Sequence, residues 1–368
     1  MTPPGNRILC CQVWMFRAPA ALLLMWASFV AALPRASCQD SNNLSKQSES
    51  APTASEKPDP SFDQATRLLK QGKPEEALTL LEGIAATDPA RKGLAHELGL
   101  AYYRKSDFLK AAASFQKAIE ENSGDNEAVQ LMGLSYYLAG RPAEAVGPLE
   151  KVQTWFPSAN IDASYILGVC YIQLQDFPNA RKAFAKMFGV PPDSAASYLF
   201  AGRMLLRQDF APIAEEYGRK AVELDPKLPL AHALLGELYL YKSRIPEAIE
   251  QFKKELELSP GEASAYYKLA DAYARSQNYE EAEKLLQRSI WLDATSTGPY
   301  ILMGKVLAKK GEPELAVRAL QRALTMDPNN PIPHYLLGMA YRDLGKTQEA
   351  EQELKLSQQL QDQQNAKP

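Results

Sequence analysis

The chain has 368 residues and a net charge of −3, with 41 Lys and Arg against 44 Asp and Glu. Without a basic excess, nucleic acid is not expected as its main partner, and 46% hydrophobic with 23% charged residues is typical of a soluble protein. Three of the four cysteines, Cys10, Cys11 and Cys38, lie near the start, so no disulfide framework is predicted for the rest.

The first 38 residues have the pattern of an export signal. Arg7 and Arg17 precede an uncharged, mostly apolar stretch at 18–34 that ends among small residues. This stretch is shorter than the ~20 apolar residues that a transmembrane helix needs. The pattern favours a secretion signal over a retained membrane anchor.

Cys38 is a candidate lipidation site. Residues 35–38, Arg-Ala-Ser-Cys, resemble the box before the lipidated cysteine of bacterial lipoproteins, except that Arg35 stands where an aliphatic residue is usual. Cleavage after Ala32 or after Cys38 fits the sequence equally well. A lipid on Cys38 would attach the protein to a membrane without spanning it.

From residue 58 the chain repeats one short pattern nine times. A small residue recurs at a spacing of 34, with one step of 35, and an alanine stands twelve residues after each. The small residues are Ala65, Gly99, Gly133, Gly168, Gly202, Gly236, Ala270, Gly304 and Gly338, and the alanines are Ala77, Ala111, Ala145, Ala180, Ala214, Ala248, Ala282, Ala316 and Ala350. Self-similarity at this period predicts a stacked array of supersecondary units.

Each repeat is predicted to be a helical hairpin. In 230–260, apolar spacing predicts a first helix over 230–241 and a second, amphipathic helix over 247–258, with Pro246 at its start. A glycine inside a helix costs about 1 kcal/mol relative to alanine. We expect close approach of the second helix, which a larger side chain at Gly236 would block, to offset that cost.

These features resemble the tetratricopeptide repeat family. The shared signature is a glycine, a tyrosine three residues later, an alanine twelve after the glycine, and a closing proline; segments 231–236 and 333–338 look like the variant of many bacterial scaffolds. The resemblance implies an all-α, right-handed superhelical solenoid of helix–turn–helix repeats. It also implies a concave groove lined by the first helix of each unit.

The repeat divides the chain into four predicted parts. We expect a signal peptide or leader at 1–38, a flexible Ser/Pro-rich linker at 39–57, the repeat array at 58–364 and a tail at 365–368. The predicted units 1 to 9 are 58–91, 92–125, 126–160, 161–194, 195–228, 229–262, 263–296, 297–330 and 331–364.

No arrangement of residues predicts catalysis, so we expect no enzymatic activity, cofactor or metal. His96, His232 and His334 lie in different units, which a solenoid holds far apart. Cys170 occupies a position where other units have small residues, and we expect it to be buried rather than reactive.

Three pairs of acidic residues stand near the predicted starts of second helices, at 75–76, 215–216 and 280–281. Negative charge there suits the helix dipole. We therefore expect a structural role for all three pairs and not acid–base catalysis.

The resemblance implies which residues face the concave groove: those three before, one after, four after and five after each small residue. These positions hold tyrosines with interspersed arginines and lysines, and Tyr and Arg dominate binding hot spots. The candidate partner-binding residues are Tyr103, Arg104, Tyr137, Tyr165, Arg203, Arg207, Tyr241, Tyr267, Arg275, Lys305 and Tyr335. The alternative is that the tyrosines only pack between helices. No asparagine follows a small residue, which excludes the subtype that clamps chaperone C-terminal carboxylates.

The sequence thus predicts a non-enzymatic scaffold that binds a protein or peptide partner in its groove. We expect export to the bacterial periplasm or envelope, with membrane attachment through a lipid on Cys38 or an uncleaved N-terminus as alternatives. A different functional hypothesis is a glycan-binding accessory protein in polysaccharide assembly or export, in which groove aromatics would stack on sugars.

Overall fold

A computed structural model describes residues 60–155 and 161–366 of the chain. The predicted leader and linker, together with Cys38, lie outside these residues. Residues Pro60–Leu360 belong to one compact unit. Over the described ranges the secondary structure consists of eighteen α-helices without a strand, so the prediction of an all-α fold is confirmed.

One first helix and one second helix fall within each predicted unit, and the last helix continues one residue beyond unit 9. The first helices are α1 (Pro60–Lys70), α3 (Leu94–Arg104), α5 (Asn126–Leu138), α7 (Ile161–Gln173), α9 (Ala195–Arg207), α11 (Ala231–Tyr241), α13 (Ala263–Arg275), α15 (Thr297–Lys310) and α17 (Pro331–Asp343). The second helices are α2 (Pro74–Thr87), α4 (Phe108–Glu121), α6 (Pro142–Trp155), α8 (Phe177–Met187), α10 (Ala211–Leu224), α12 (Ile245–Leu258), α14 (Tyr279–Leu292), α16 (Pro313–Met326) and α18 (Thr347–Asn365).

The small residue of a first helix lets the second helix of the same unit approach closely. A Cβ atom added to Gly168 would lie 2.5 Å from the Phe184 ring, and one added to Gly236 would lie 2.6 Å from the Phe252 ring. Carbon atoms in good contact are ~3.5–4.0 Å apart, so a larger residue does not fit without movement. The expected close approach is confirmed.

The alanine of each second helix is buried in all nine units, with an exposed fraction between 0 and 4%. The second helix of a unit packs against the first helix of the next unit from α2 and α3 through to α16 and α17. A small side chain keeps that contact close.

Cys170 of α7 is buried, which confirms its predicted place in the core. Desolvation raises the pKa of its thiol to about 12.

Curvature follows from which helices contact one another. Neighbouring first helices are in contact in most of the array, namely α1–α3, α3–α5, α5–α7, α9–α11, α11–α13, α13–α15 and α15–α17. Neighbouring second helices make no comparable contact in the described part of the chain. Since the closely packed layer is the inner one, the first helices form the concave side of the right-handed superhelix.

Unit 4 departs from this regular packing. Its second helix, α8, has 11 residues, whereas α6 before it and α10 after it each have 14. Gly189 follows α8 with a φ of +65°, and Pro191 and Pro192 come next. Gly in the left-handed region and a following proline both end helices. As a result α8 is three residues shorter than α6 and α10.

Candidate partner-binding groove

Four of the predicted groove tyrosines, Tyr103, Tyr137, Tyr165 and Tyr267, are half-buried. The Tyr103 ring meets Phe108 edge-on with 5.9 Å between centroids. Burial raises the pKa of Tyr103, Tyr137 and Tyr267, which keeps their hydroxyl groups protonated. These rings pack between helices but also leave part of their surface open, so their position is compatible with both sequence-based interpretations.

Two further groove tyrosines are largely exposed. Tyr241 at the end of α11 is 61% exposed and Tyr335 near the start of α17 is 51% exposed. The Tyr241 hydroxyl donates a hydrogen bond of 2.6 Å to Asp209 Oδ1, in the turn between α9 and α10, and this bond raises the Tyr241 pKa. Tyr241 is thus held in one orientation by a neighbouring unit while its ring remains accessible.

The predicted groove cations differ in how they are paired. Arg104, Arg207, Arg275 and Lys305 are exposed and Arg203 is half-buried. Arg275 Nη2 lies 2.9 Å from Asp271 Oδ2, one helical turn earlier in α13. The other four cations make no ion pair within the described residues, so their charge is available to a partner.

The acidic side chains at the same groove positions are few. Asp271 is neutralised by Arg275, and Glu237 Oε1 of α11 lies 3.4 Å from Lys268 Nζ of α13. Asp343 of α17 is the third acidic side chain at these positions. The basic side chains at groove positions that make no ion pair in the described part are Lys70, Arg104, Arg203, Arg207, Lys305, Lys309 and Arg342. The predicted groove therefore has an excess of positive charge, although the whole chain has a net charge of −3.

Arg275 and Lys305 meet in a small cleft between α13 and α15. The cleft has a volume of about 70 Å³ and is lined by Asp271, Ala274, Arg275, Tyr279, Lys305, Val306 and Lys309. Lys309 was missed as a candidate, although its spacing of four from Lys305 places both on one side of α15. Tyr279 is the first residue of α14. No sequence pattern predicts that it lies beside α15 in this cleft.

Glu215 has a structural role, as expected, but the predicted reason, a place at the helix start, is wrong. Its helix, α10, begins at Ala211, so Glu215 lies beyond the first turn, and its side chain is buried. Lys242 Nζ lies 2.6 Å from Glu215 Oε2, while Arg219 Nη2 and Arg244 Nη1 lie 2.5 and 3.3 Å from Oε1. Burial by itself would raise the Glu215 pKa, but the hydrogen bonds and charges of Lys242 and Arg219 lower it below its usual value. Glu215 therefore links unit 5 to the turn of unit 6.

The other two acidic pairs agree with the dipole prediction. Glu75 and Glu76 lie in the first turn of α2, and Glu280 and Glu281 lie in the first turn of α14. Negative charge at a helix start interacts favourably with the helix dipole. The predicted position of these two pairs at helix starts is confirmed.

Each histidine has its own polar partner. Nδ1 of His96, His232 and His334 lies 2.7, 2.7 and 2.6 Å from Asp125 Oδ2, Gln251 Oε1 and Glu353 Oε2, respectively. Within the residues that the structure covers, no group of three or more His, Cys, Asp or Glu side chains is placed to hold a metal ion. Over the same residues, no helix combines the length and apolar character needed to cross a bilayer.

A stack of helical hairpins, each packed against the next, defines the class of helical repeat proteins. Tetratricopeptide repeat models match residues 62–126, 96–160, 171–229 and 234–299, a TPR repeat model matches 304–345, and another tetratricopeptide repeat model matches 333–364. These matches cover well over half of the chain. The chain belongs to the tetratricopeptide repeat family.

Similarity to individual proteins is partial. The human intraflagellar transport protein 88 homolog is 25% identical over 99 residues, 26% of this chain and 12% of that protein's length. The crystal structure of MamA is 25% identical with a TM-score of 0.41, covering 45% of this chain and 96% of that one. YrrB, described as a TPR protein with an unusual peptide-binding site, is 23% identical with a TM-score of 0.42, covering 49% and 93%. The family assignment rests on the repeat models.

Proposed function

We propose that this chain is a non-enzymatic scaffold of the bacterial envelope that holds an acidic, extended segment of a partner protein in its concave groove. The observation that carries the proposal is the separation of charge. Groove positions hold seven cations without an ion pair in the described residues, whereas the whole chain is acidic. Clefts lined by one sign of charge attract ligands of the opposite sign.

The tyrosines complement these cations. Carboxylates of the partner would pair with Arg203, Arg207 and Lys305, and apolar groups of the partner would cover the open rings of Tyr241 and Tyr335. Aromatic residues and arginines contribute most to binding when the contact excludes water. The geometry favours a partner that alternates acidic and apolar side chains.

The first experiment tests the charge of the partner. A fluorescent octapeptide that alternates Glu and Leu should bind the full chain, whereas a peptide that alternates Lys and Leu should not. Changing Arg207→Ala together with Lys305→Ala should weaken binding about tenfold, about 1.4 kcal/mol. Added salt should weaken the wild-type interaction, because exposed charges are screened.

The matched control removes the same charge from second helices. Lys151 of α6 and Lys284 of α14 are exposed, and Lys151→Ala with Lys284→Ala also deletes two positive charges. This variant should bind the acidic peptide as the wild type does. Equal weakening by both double variants would mean that net charge, and not the groove, is responsible, and the proposal would be wrong.

Export is the second part of the proposal, and it rests on the pattern of residues 1–38. The mature chain is expected to begin between Leu33 and Gln39, which intact-mass measurement on the expressed protein would show. A lipid mass that disappears in Cys38→Ser would establish lipidation. A full-length species starting at Met1 in the cytosol would refute export.

The exposed rings of Tyr241 and Tyr335 also favour a second candidate, the glycan-binding accessory. Sugar rings stack on accessible aromatic faces, so Tyr241→Ala with Tyr335→Ala would abolish glycan binding in that case. Soluble glycan should then compete with the Glu–Leu peptide. If glycan binds and the acidic peptide does not, the carbohydrate function replaces the scaffold function.

A further inference from the structure

A second cleft lies away from the groove, between the second helices of units 3 and 4. It has a volume of about 400 Å³, at the small end of the ~300–1,000 Å³ range of ligand pockets. Its lining residues are Glu150, Gln153, Leu167, Tyr171, Asn179, Lys182, Ala183, Lys186, Val190 and Pro192. They come from α6, α7, α8 and the segment after α8, so none of the predicted groove residues takes part.

The early end of α8 explains why the cleft is present here. A second helix of usual length would continue past Met187, but Gly189 and the two prolines after it turn the chain away. Val190 and Pro192 consequently line the cleft. The opening is therefore built into the sequence of unit 4.

Gln153 is an unusual residue for its position in the repeat. It stands twenty residues after the small residue of unit 3. At this position seven other units have the apolar residues Ala85, Ile119, Phe188, Val222, Leu256, Ile290 and Leu324, and the last unit has Gln358. Gln153 is only 8% exposed, and its Nε2 atom has no hydrogen-bond partner among the described residues. A buried donor without a partner is rare and destabilising in folded proteins. An acceptor in the cleft would satisfy it.

The polar groups around Gln153 are mainly donors. Lys186 makes no ion pair within the described ranges, and Lys182 Nζ contacts only the amide oxygen of Asn179, at 3.3 Å. The single carboxylate of the lining, Glu150, already accepts a hydrogen bond from the Tyr171 hydroxyl. Two cations and a free amide donor thus remain for a ligand, and all of these groups favour an anionic acceptor.

The rest of the lining is apolar. Leu167 and Ala183 are buried, and Val190 and Pro192 close the same space. A ligand that fits both parts has an aliphatic body and an anionic end. A carboxylate is planar and accepts several hydrogen bonds, which suits an amide and two ammonium donors.

We propose that the cleft between α6 and α8 binds a short aliphatic carboxylate, with Gln153 Nε2, Lys182 and Lys186 as donors to the carboxylate group. Such a group occurs in a free organic acid and at the carboxyl end of a peptide. The site is independent of the groove, so it holds or fails separately from the proposed function.

The test uses the full chain and three small probes observed by saturation-transfer NMR. N-acetyl-leucine carries a carboxylate and a peptide bond, 4-methylpentanoate carries a carboxylate alone, and N-acetyl-leucinamide has no carboxylate. Both acids should bind at millimolar concentrations and the amide should not. Stronger binding of N-acetyl-leucine identifies a peptide end as the source, and equal or stronger binding of 4-methylpentanoate identifies a free acid.

Variants connect binding to the cleft. Gln153→Leu introduces the residue that units 6 and 8 have at this position, so it should fold, and it should weaken binding of both acids about tenfold. Lys182→Ala with Lys186→Ala should have at least the same effect. The control is Lys151→Ala, an exposed cation of α6 outside the lining, which should leave binding unchanged.

Three results would overturn this site. One is that N-acetyl-leucinamide binds as strongly as the two acids do. Another is unchanged acid binding in Gln153→Leu with its helical spectrum intact. The third is no binding of either acid to the wild type at millimolar concentrations. In none of these cases would the result bear on the acidic-peptide test of the groove.

Discussion

Unit 5 packs differently from units 4 and 6 on either side of it. In units 4 and 6 the glycine of the first helix is covered by a phenyl ring from the second helix of the same unit, Phe184 or Phe252. In unit 5 the residue at the ring's position is Gly218. The side chain that approaches Gly202 is instead Leu234 of unit 6, 2.9 Å from a Cβ added there.

The difference shows that one space can be filled from two directions. Leu234 is fully buried, and its neighbour Leu235 lies 2.9 Å from a Cβ added to Gly218. The ion pairs of the buried Glu215 with Lys242 and Arg244 cross the same junction. Units 5 and 6 therefore share a core. In unit 4 the space beside Gly168 is filled by Phe184 of the same unit.

The largest effect is expected for Phe184→Ala. Removing a fully buried phenyl ring leaves a cavity and should lower the free energy of unfolding by about 3–5 kcal/mol. Because the ring fills its own unit, faster hydrogen exchange should be concentrated in α7 and α8. Leu224→Ala, at a residue that is 46% exposed, is the control and should change little.

Leu234→Ala should cost about 2–5 kcal/mol and should act on two units at once. Its side chain supports Gly202 of unit 5 from unit 6, so exchange should accelerate in α9 and α10 as well as in α11. If hydrogen exchange accelerates only within unit 6, Leu234 does not stabilise unit 5 and the prediction is wrong.

Two glycine changes sharpen the comparison. Gly168→Leu should overpack α7 against the Phe184 ring and cost about 1–3 kcal/mol or more. Gly218→Ala meets only the end of a flexible leucine, and alanine favours a helix by about 1 kcal/mol. It should therefore be close to neutral in chemical denaturation. A large loss in Gly218→Ala would show that Leu235 cannot move.

The smallest expected effect is the acid sensitivity of the same junction. The pKa of Glu215 is lower in the folded protein than its usual 4.5, so its stabilising contribution is present above about pH 4.5 and is lost as the pH falls through the folded pKa. The melting temperature of Glu215→Gln should depend less on pH below 4.5 than that of the wild type. Glu216→Gln, at an exposed neighbour, should follow the wild-type curve.

The sequence by itself determined the hairpin, the period and the family. Gly236, Ala248 and Phe252 belong to one unit and one local pattern, and their contacts follow from helical spacing within about thirty residues. The candidate groove residues come from the same repeat positions, which is why eleven of them were named without a structure. The repeat position does not predict whether a groove cation forms an ion pair. Arg275 and Arg207 occupy the same position, yet Arg275 pairs with Asp271 and Arg207 makes no ion pair in the described residues.

Only the tertiary structure decided the contacts between units. Whether Glu215 meets Lys242, whether Leu234 fills the space beside Gly202 and whether Gln153 faces a cleft all depend on how one unit is rotated against the next. The repeat pattern does not contain that rotation, because it results from the summed packing of many side chains at each junction. Irregular positions such as Gly218 and Gln153 are visible in the sequence, but their partners become visible only once the units are stacked.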